Sequence, residues 1–298
     1  MRQPKWNRRT FLKTSALGVA SVRYTFAQGR AWGVQLYTVR DVLRRDPAGV
    51  LRAIADMGYR EVELVRSGMS QVVPHLKTLP LNATSGHYEA ELVTRDWRAN
   101  QKQLKDPYYP KDWEAAVDQA ASVGLRYMVV SSYRASREAG IDGYKKFAEQ
   151  MNLASPVCLK AGIRLGYHNH AFEFGPVGGT RPIDVLVKEL APEVGLELDV
   201  FWASVAGEDP TTLIRSWGPR VRILHLKDRA PGVSQTVNER EVPGDAFREV
   251  GRGMLDFKGM LDTAKAVGVE HYFVEQDQCP GNPLDSLRES IRYLQQFA

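Results

Sequence analysis

Cysteine is nearly absent: Cys158 and Cys279 are the only two in 298 residues, in separate segments and without a C-x-x-C spacing. That argues against a disulfide framework and against a zinc–thiolate centre. No stretch rich in proline, glycine and serine divides the chain, and no shift in composition marks a second domain. The first apolar stretch runs into Tyr37-Thr38-Val39-Arg40-Asp41, which lacks the glycines of a phosphate-binding turn. A dinucleotide-binding doubly wound sheet is therefore disfavoured. A basic body is missing too. The formal charge of +5 is owed to residues 1–28, which hold Arg2, Lys5, Arg8, Arg9, Lys13 and Arg23 and no acid; without those six the chain carries −1. Such a body has no global positive field for nucleic acid or an anionic membrane, and no nucleic-acid partner is expected.

The basic amino-terminal residues have an order of their own. Asn7-Arg8-Arg9-Thr10-Phe11-Leu12-Lys13 precedes a short stretch of small residues, 14–20, and together they resemble a twin-arginine export signal. The apolar part is too short and too polar to span a bilayer, so stable membrane insertion is not expected. The resemblance implies a signal over residues 1–28, a body over residues 29–298, and a periplasmic or otherwise exported location.

Along the body, a segment of helical period, a glycine and a short apolar run recur. The sets are 47–57, Gly58 and 61–64; 113–123, Gly124 and 127–130; 144–161, Gly162 and 163–170; 261–267, Gly268 and 271–275. Glycine just past a helix supplies the left-handed cap, and strands alternating with helices imply βαβ units in a parallel sheet. Residues 32–37, 81–85, 194–198 and 221–226 complete eight strands, and a helix over 284–297 closes the series. The expected fold is a single (β/α)₈ TIM barrel of the α/β class.

In such a barrel the chemistry sits at the carboxyl ends of the strands. Those ends carry Glu63; His87; His168 and His170, then Glu173; Asp199; His225, Lys227 and Asp228; and Glu275. Alternation along 163–170 places Gly166, His168 and His170 on one strand face. Carboxylates and imidazoles converging from strands five to eight, with no thiolate, suit one divalent cation: Mn²⁺, Mg²⁺, Co²⁺ or Zn²⁺.

Over residues 32–298 the chain resembles the sugar phosphate isomerase/epimerase group of xylose isomerase-like barrels. Gly33-Val34-Gln35-Leu36-Tyr37-Thr38, Gly86-His87, Tyr167-His168-Asn169-His170 with Phe172-Glu173-Phe174, Leu198-Asp199, His225-Leu226-Lys227-Asp228, Gly251-Arg252-Gly253 and Glu275-Gln276-Asp277 carry the likeness. It implies one metal, Mn²⁺ first among the candidates, held by Asp199, His225 and Glu275. The fourth ligand is either His168 or Glu173, and Glu173 is preferred because it keeps three carboxylates and one imidazole. A metal so placed acidifies the carbon beside a carbonyl and stabilises an enediolate. His168 or His170, with Glu275 and Lys227, would then handle protons and the developing charge. Glu63, His87, Trp202 and Arg252 are the substrate-binding candidates.

The function this implies is isomerisation, epimerisation or elimination on a keto-sugar, an inosose or a 3-keto-glycoside. A small carbohydrate is the expected partner, and a homo-oligomer is left open. Two other readings share the fold: a periplasmic sugar-binding barrel without turnover, and an apurinic endonuclease-type phosphodiesterase. The segment 229–249, polar and long for a barrel connection, reads as a lid or partner-contact loop.

Overall fold

The computed structural model describes residues 30–95 and 109–297; the export-signal reading falls on residues outside these. Eight parallel strands close into one barrel: β1 Trp32–Gln35, β2 Glu61–Val65, β3 Asn82–Tyr88, β4 Tyr127–Val130, β5 Arg164–His168, β6 Gly195–Asp199, β7 Val221–Leu226 and β8 His271–Val274. Their order around the ring follows the chain, and β1 pairs with β8 to leave no open edge. The outer layer comprises α1 Pro47–Met57, α2 Met69–Leu76, α3 Trp113–Val123, α4 Gly140–Lys160, α5 Pro182–Glu189, α6 Pro210–Trp217, α7 Phe257–Val267 and α8 Pro283–Leu294, beside several shorter turns. Among the described residues no helix is long and apolar enough to cross a membrane.

The helices begin and end where local chemistry directs. Asp46, Asp112 and Asp256 cap α1, α3 and α7 by accepting the N–H of Gly49, Ala115 and Gly259. Proline fills the first turn of α1, α5, α6 and α8, where its missing N–H costs nothing. Gly58, Gly124 and Gly268 are left-handed caps, as their positions in the sequence predict. Helices α4 and α7 each begin four residues earlier than the apolar period suggests. For α7 the cause is visible in Asp256, a cap that lies upstream of the periodic residues.

One device shapes the mouth of the barrel. Just past β7, the buried Asp228 carboxylate accepts four backbone N–H groups, from Arg229, Gly251, Gly253 and Leu255. Both ends of the 230–250 loop are thereby tied to one side chain. A two-residue antiparallel ribbon, Asp228–Arg229 with Phe247–Arg248, closes the loop's base, and Thr236 N–H donates to Val205 O farther out. Gly253 sits so close that a Cβ there would lie 2.2 Å from Arg229 O and 2.3 Å from Asp228 Oδ1. Gly253→Ala should therefore cost about 2–3 kcal/mol in urea denaturation, whereas Gly68→Ala, with nothing within 4 Å of its Cβ, should stay within about 0.5 kcal/mol.

Candidate active site

Strand alternation turns a set of titratable side chains into the barrel, in two tiers. The lower tier is built on Glu63 of β2 and Glu197 of β6, both fully buried. Glu63 Oε2 accepts from Gln35 Nε2 at 2.8 Å and lies 2.5 Å from His225 Nε2 and 3.2 Å from His87 Nε2. Glu197 Oε2 lies 2.7 Å from His87 Nε2 and 2.9 Å from His168 Nδ1, while Oε1 lies 3.3 Å from His225 Nε2. Two carboxylates thus hold three imidazoles. Burial opposes ionisation of Glu197, but His225 and His87 outweigh it and keep the carboxyl well below its usual range. Glu63 is pushed the other way, by burial and by the negative charge of Glu197.

The upper tier comes from the last turns of β6, β7 and β8. Asp199 Oδ1 accepts from Trp202 N–H at 2.9 Å, capping the short Val200–Val205 helix, and leaves Oδ2 facing inward. Asn169 clasps the Asp199 backbone, accepting from its N–H at 3.0 Å and donating to its carbonyl at 3.4 Å. Glu275 Oε2 lies 2.9 Å from His225 Nδ1. Lys227 Nζ is surrounded by Glu275 at 2.7 Å, Asp199 at 3.0 Å and Asp277 at 3.1 Å. Burial opposes the ammonium, yet these carboxylates hold its pKa well above normal; Asp277, buried beside Glu275 and Asp199, rises to about 6.

Asp199, His225 and Glu275 offer ligand atoms within 4.8 Å of one another, and His168 Nε2 faces them, 3.8 Å from Asp199 Oδ2. The donor set fits a divalent cation. Glu63 Oε1, Glu197 Oε1 and Asp199 Oδ2 are buried oxygens without a hydrogen bond, although His225 and Lys227 lie within ion-pair range of the second and third. Ionised carboxylates accept only, so a hard cation is what such oxygens lack. His168 and His225 each give one ring nitrogen to a lower-tier carboxylate and turn the other toward the triad, the arrangement that orients metal-binding imidazoles.

Above the triad lies a cavity of about 560 Å³. His87, His168, His170, Trp202, Lys227 and Glu275 line its inner part; Glu239, Val242, Gly244 and Phe247 of the loop after β7 cover one side. Burial, reinforced by the neighbouring His168 imidazole and the Lys227 ammonium, depresses the pKa of His170 well below the ordinary imidazole value. Burial likewise lowers that of His168 to about 4, so both rings are neutral at pH 7. Trp202 Nε1 is buried without a hydrogen-bond partner, a donor at the cavity wall awaiting an acceptor.

The structure brings together Asp199, His225, Glu275, His168, His170, Lys227, His87 and Trp202, but places three other sequence candidates elsewhere. The Glu173 carboxyl accepts from Tyr167 Oη at 2.7 Å and from His170 N–H at 2.9 Å, at the Phe172–Phe174 turn and outside the Asp199, His225 and Glu275 group. It holds the His170 backbone, and His168 is the strand-five side chain that faces the triad. Glu63 is fully buried beneath the cavity, against the His225 and His87 imidazoles. Arg252 points to the outer surface and pairs with Glu289 of α8; its groove there, about 720 Å³, is larger than the cavity but holds none of the clustered imidazoles. Glu197 and Asp277 were missed as site residues. Glu197 had a signal, since it lies two residues before Asp199 and so shares its strand face.

Calorimetric titration with Mn²⁺ should separate the two strand-five candidates: His168→Ala and Glu197→Gln weaken binding about 10–100-fold, while Glu173→Gln leaves it unchanged. Burial raises Glu173 to about 8, so the native state keeps a proton that the unfolded chain releases. Stability is full below the unfolded value and is lost as pH rises toward 8. In urea titrations from pH 5 to 8, the wild type should lose up to about 1.4 kcal/mol per pH unit relative to Glu173→Gln.

Comparison with known proteins agrees with this architecture. Residues 51–297 match the family described as xylose isomerase-like TIM barrel. An inosose dehydratase of Geobacillus thermodenitrificans (strain NG80-2) is 28% identical over 156 residues, 49% of this chain and 52% of that protein. One from Clostridium tetani (strain Massachusetts / E88) is 27% identical over 165 residues, 52% and 55% of the two chains. The match thus spans about half the length of these curated relatives. Among solved structures, a sugar phosphate isomerase/epimerase from Parabacteroides distasonis ATCC 8503 superposes with a TM-score of 0.69 at 26% identity, covering 93% of this chain and 97% of that one. The IOLI protein, solved with a bound zinc atom, shares the fold with a TM-score of 0.68 at 13% identity, over 90% and 99% of the two chains. The chain belongs to the xylose isomerase-like TIM barrel family.

Proposed function

We propose that the protein is a divalent-metal-dependent enzyme that takes a proton from the carbon beside a carbonyl of a keto-sugar, inosose or 3-keto-glycoside. Isomerisation, epimerisation or elimination of water follows from where that proton is returned or which group departs. The observation that carries this reading is the Asp199, His225 and Glu275 triad with His168, set at the floor of a cavity that also holds the neutral imidazole of His170. The relatives named for inosose dehydration and the neighbour solved with zinc support it.

Asp199, His225, Glu275 and His168 would hold the metal. When bound, it supplies Lewis acidity to vicinal oxygens of the substrate. Residues of the chain do the rest. His170, kept neutral by burial, accepts the proton, with its backbone fixed by Glu173. Lys227, held charged by its three carboxylates, donates hydrogen bonds to the oxygen on which charge develops. Trp202 presents its unpaired N–H and ring face to the sugar, and Phe247 with the loop residues excludes water. A phosphodiester fits poorly, since Glu89, Glu239, Glu275 and Asp277 all line the cavity.

Proton NMR in D₂O with keto-sugars, inososes and 3-keto-glycosides tests the reading. Metal-stripped protein should give no deuterium incorporation, and Mn²⁺ should restore it. Exchange that survives Asp199→Ala and His225→Ala together would sink the metal mechanism, and a binder without turnover would give no exchange under any loading. We further propose export by the twin-arginine route, on the motif at Arg8 and Arg9. A folded reporter fused to residues 1–32 should stay in the cytoplasm once both become lysine; unchanged export would refute that route.

A further inference from the structure

The cavity above the triad does not end at its own rim. It shares Tyr37 and Val65 with a second groove of about 280 Å³, between the Leu36–Val39 turn and helix α2. The two differ in chemistry. The inner cavity presents imidazoles, carboxylates and Lys227, whereas Leu43, Leu64 and Val72 line the outer groove, with Arg40, Arg44, Ser67 and Gln71 at its polar side.

Tyr37 stands at the junction and is 42% exposed, unusual for an aromatic ring beside a reaction cavity. Its placement is fixed from three sides. Gln35 Oε1 accepts its backbone N–H at 3.1 Å, Arg40 Nη1 donates to its carbonyl at 2.9 Å, and the Arg40 guanidinium lies 4.1 Å from the ring centroid. The ring is a preorganised platform, so a ligand stacked on it loses little to ordering the protein.

Among the described residues, the cations that line the two compartments, Arg40, Arg44 and Lys227, are each engaged by partners, those of Arg40 being backbone carbonyls. Arg40 also donates to Asp277 O, Arg44 pairs with Asp41, Arg66 with Glu89, Arg134 with Glu239, and Lys227 is engaged by three carboxylates. An uncharged ligand that is polar at one end and apolar at the other matches the paired compartments.

Building on the proposed activity, we infer that the outer groove is an aglycone subsite: the substrate is an uncharged glycoside whose oxidised ring rests at the triad and whose apolar aglycone crosses Tyr37 into the groove. The continuity of the groove with the cavity through Tyr37 and Val65 favours this occupant over an apolar side chain of a second protein.

The test compares two uncharged probes, methyl β-D-glucoside and 4-nitrophenyl β-D-glucoside, by calorimetric titration of Mn²⁺-loaded protein. Burial of the aryl ring should make the second bind about tenfold tighter. Gly68 lines the groove with nothing within 4 Å of its Cβ, so Gly68→Trp places an indole in that space. The exposed Gln71→Trp does the same from α2 and serves if the first variant does not fold. In either variant the aryl-to-methyl ratio should fall to about one. Equal affinities in the wild type, or an aryl preference that survives both substitutions, would overturn the inference. Because titration reads binding, it separates this claim from the activity: deuterium exchange on methyl 3-keto-glucoside without any aryl preference overturns the subsite alone.

Discussion

Four carboxyl groups, Glu63, Glu197, Asp199 and Glu275, are buried in one barrel centre, and polar groups taken out of water must find partners there. That requirement organises the site. His87, His168 and His225 are shared between the two lower carboxylates, and Lys227 is shared between the two upper ones and Asp277. His225 links the tiers, with one ring nitrogen on Glu63 and the other on Glu275. A carboxylate accepts but does not donate, so at His168, where Glu197 takes Nδ1, the proton sits on that nitrogen and Nε2 is left for a ligand.

The division of labour between tiers explains why neighbouring acids on one strand differ in role. Glu197 and Asp199 share a face of β6, two residues apart, yet one lies beneath the imidazoles and the other beside the cavity floor. Glu197 sets ring orientation; Asp199 presents an oxygen. The same logic separates Glu63 from Glu275. Depth in the barrel, more than residue type, assigns the function.

Much of the fold was legible because its signals are local. The glycines at 58, 124 and 268 cap helices through their own backbone geometry, and the runs at 127–130 and 221–226 are strands over their full predicted lengths. The gathering of Asp199, His225 and Glu275 was legible, because a barrel brings every carboxyl end to one face. Placement departed from the sequence reading where direction or depth decided. Glu173 lies only five residues past His168, but the Phe172–Phe174 turn aims its carboxyl at Tyr167 and the His170 backbone. Arg252 follows a glycine with φ of 86°, in a turn directed to the outer surface. Neither the turn's direction nor the depth of Glu63 is encoded in residue spacing.

The Asp228 carboxylate, with its four backbone N–H groups, also has a consequence for how this scaffold can diversify. Because one side chain clamps both ends of the 230–250 loop, the loop's interior can change length or composition without moving β7 or the residues it carries. The entropic cost of a longer loop with fixed ends grows only logarithmically. The segment behaves as an exchangeable cassette: a wall of the cavity that can be rewritten while the Asp199, His225 and Glu275 floor stays in register.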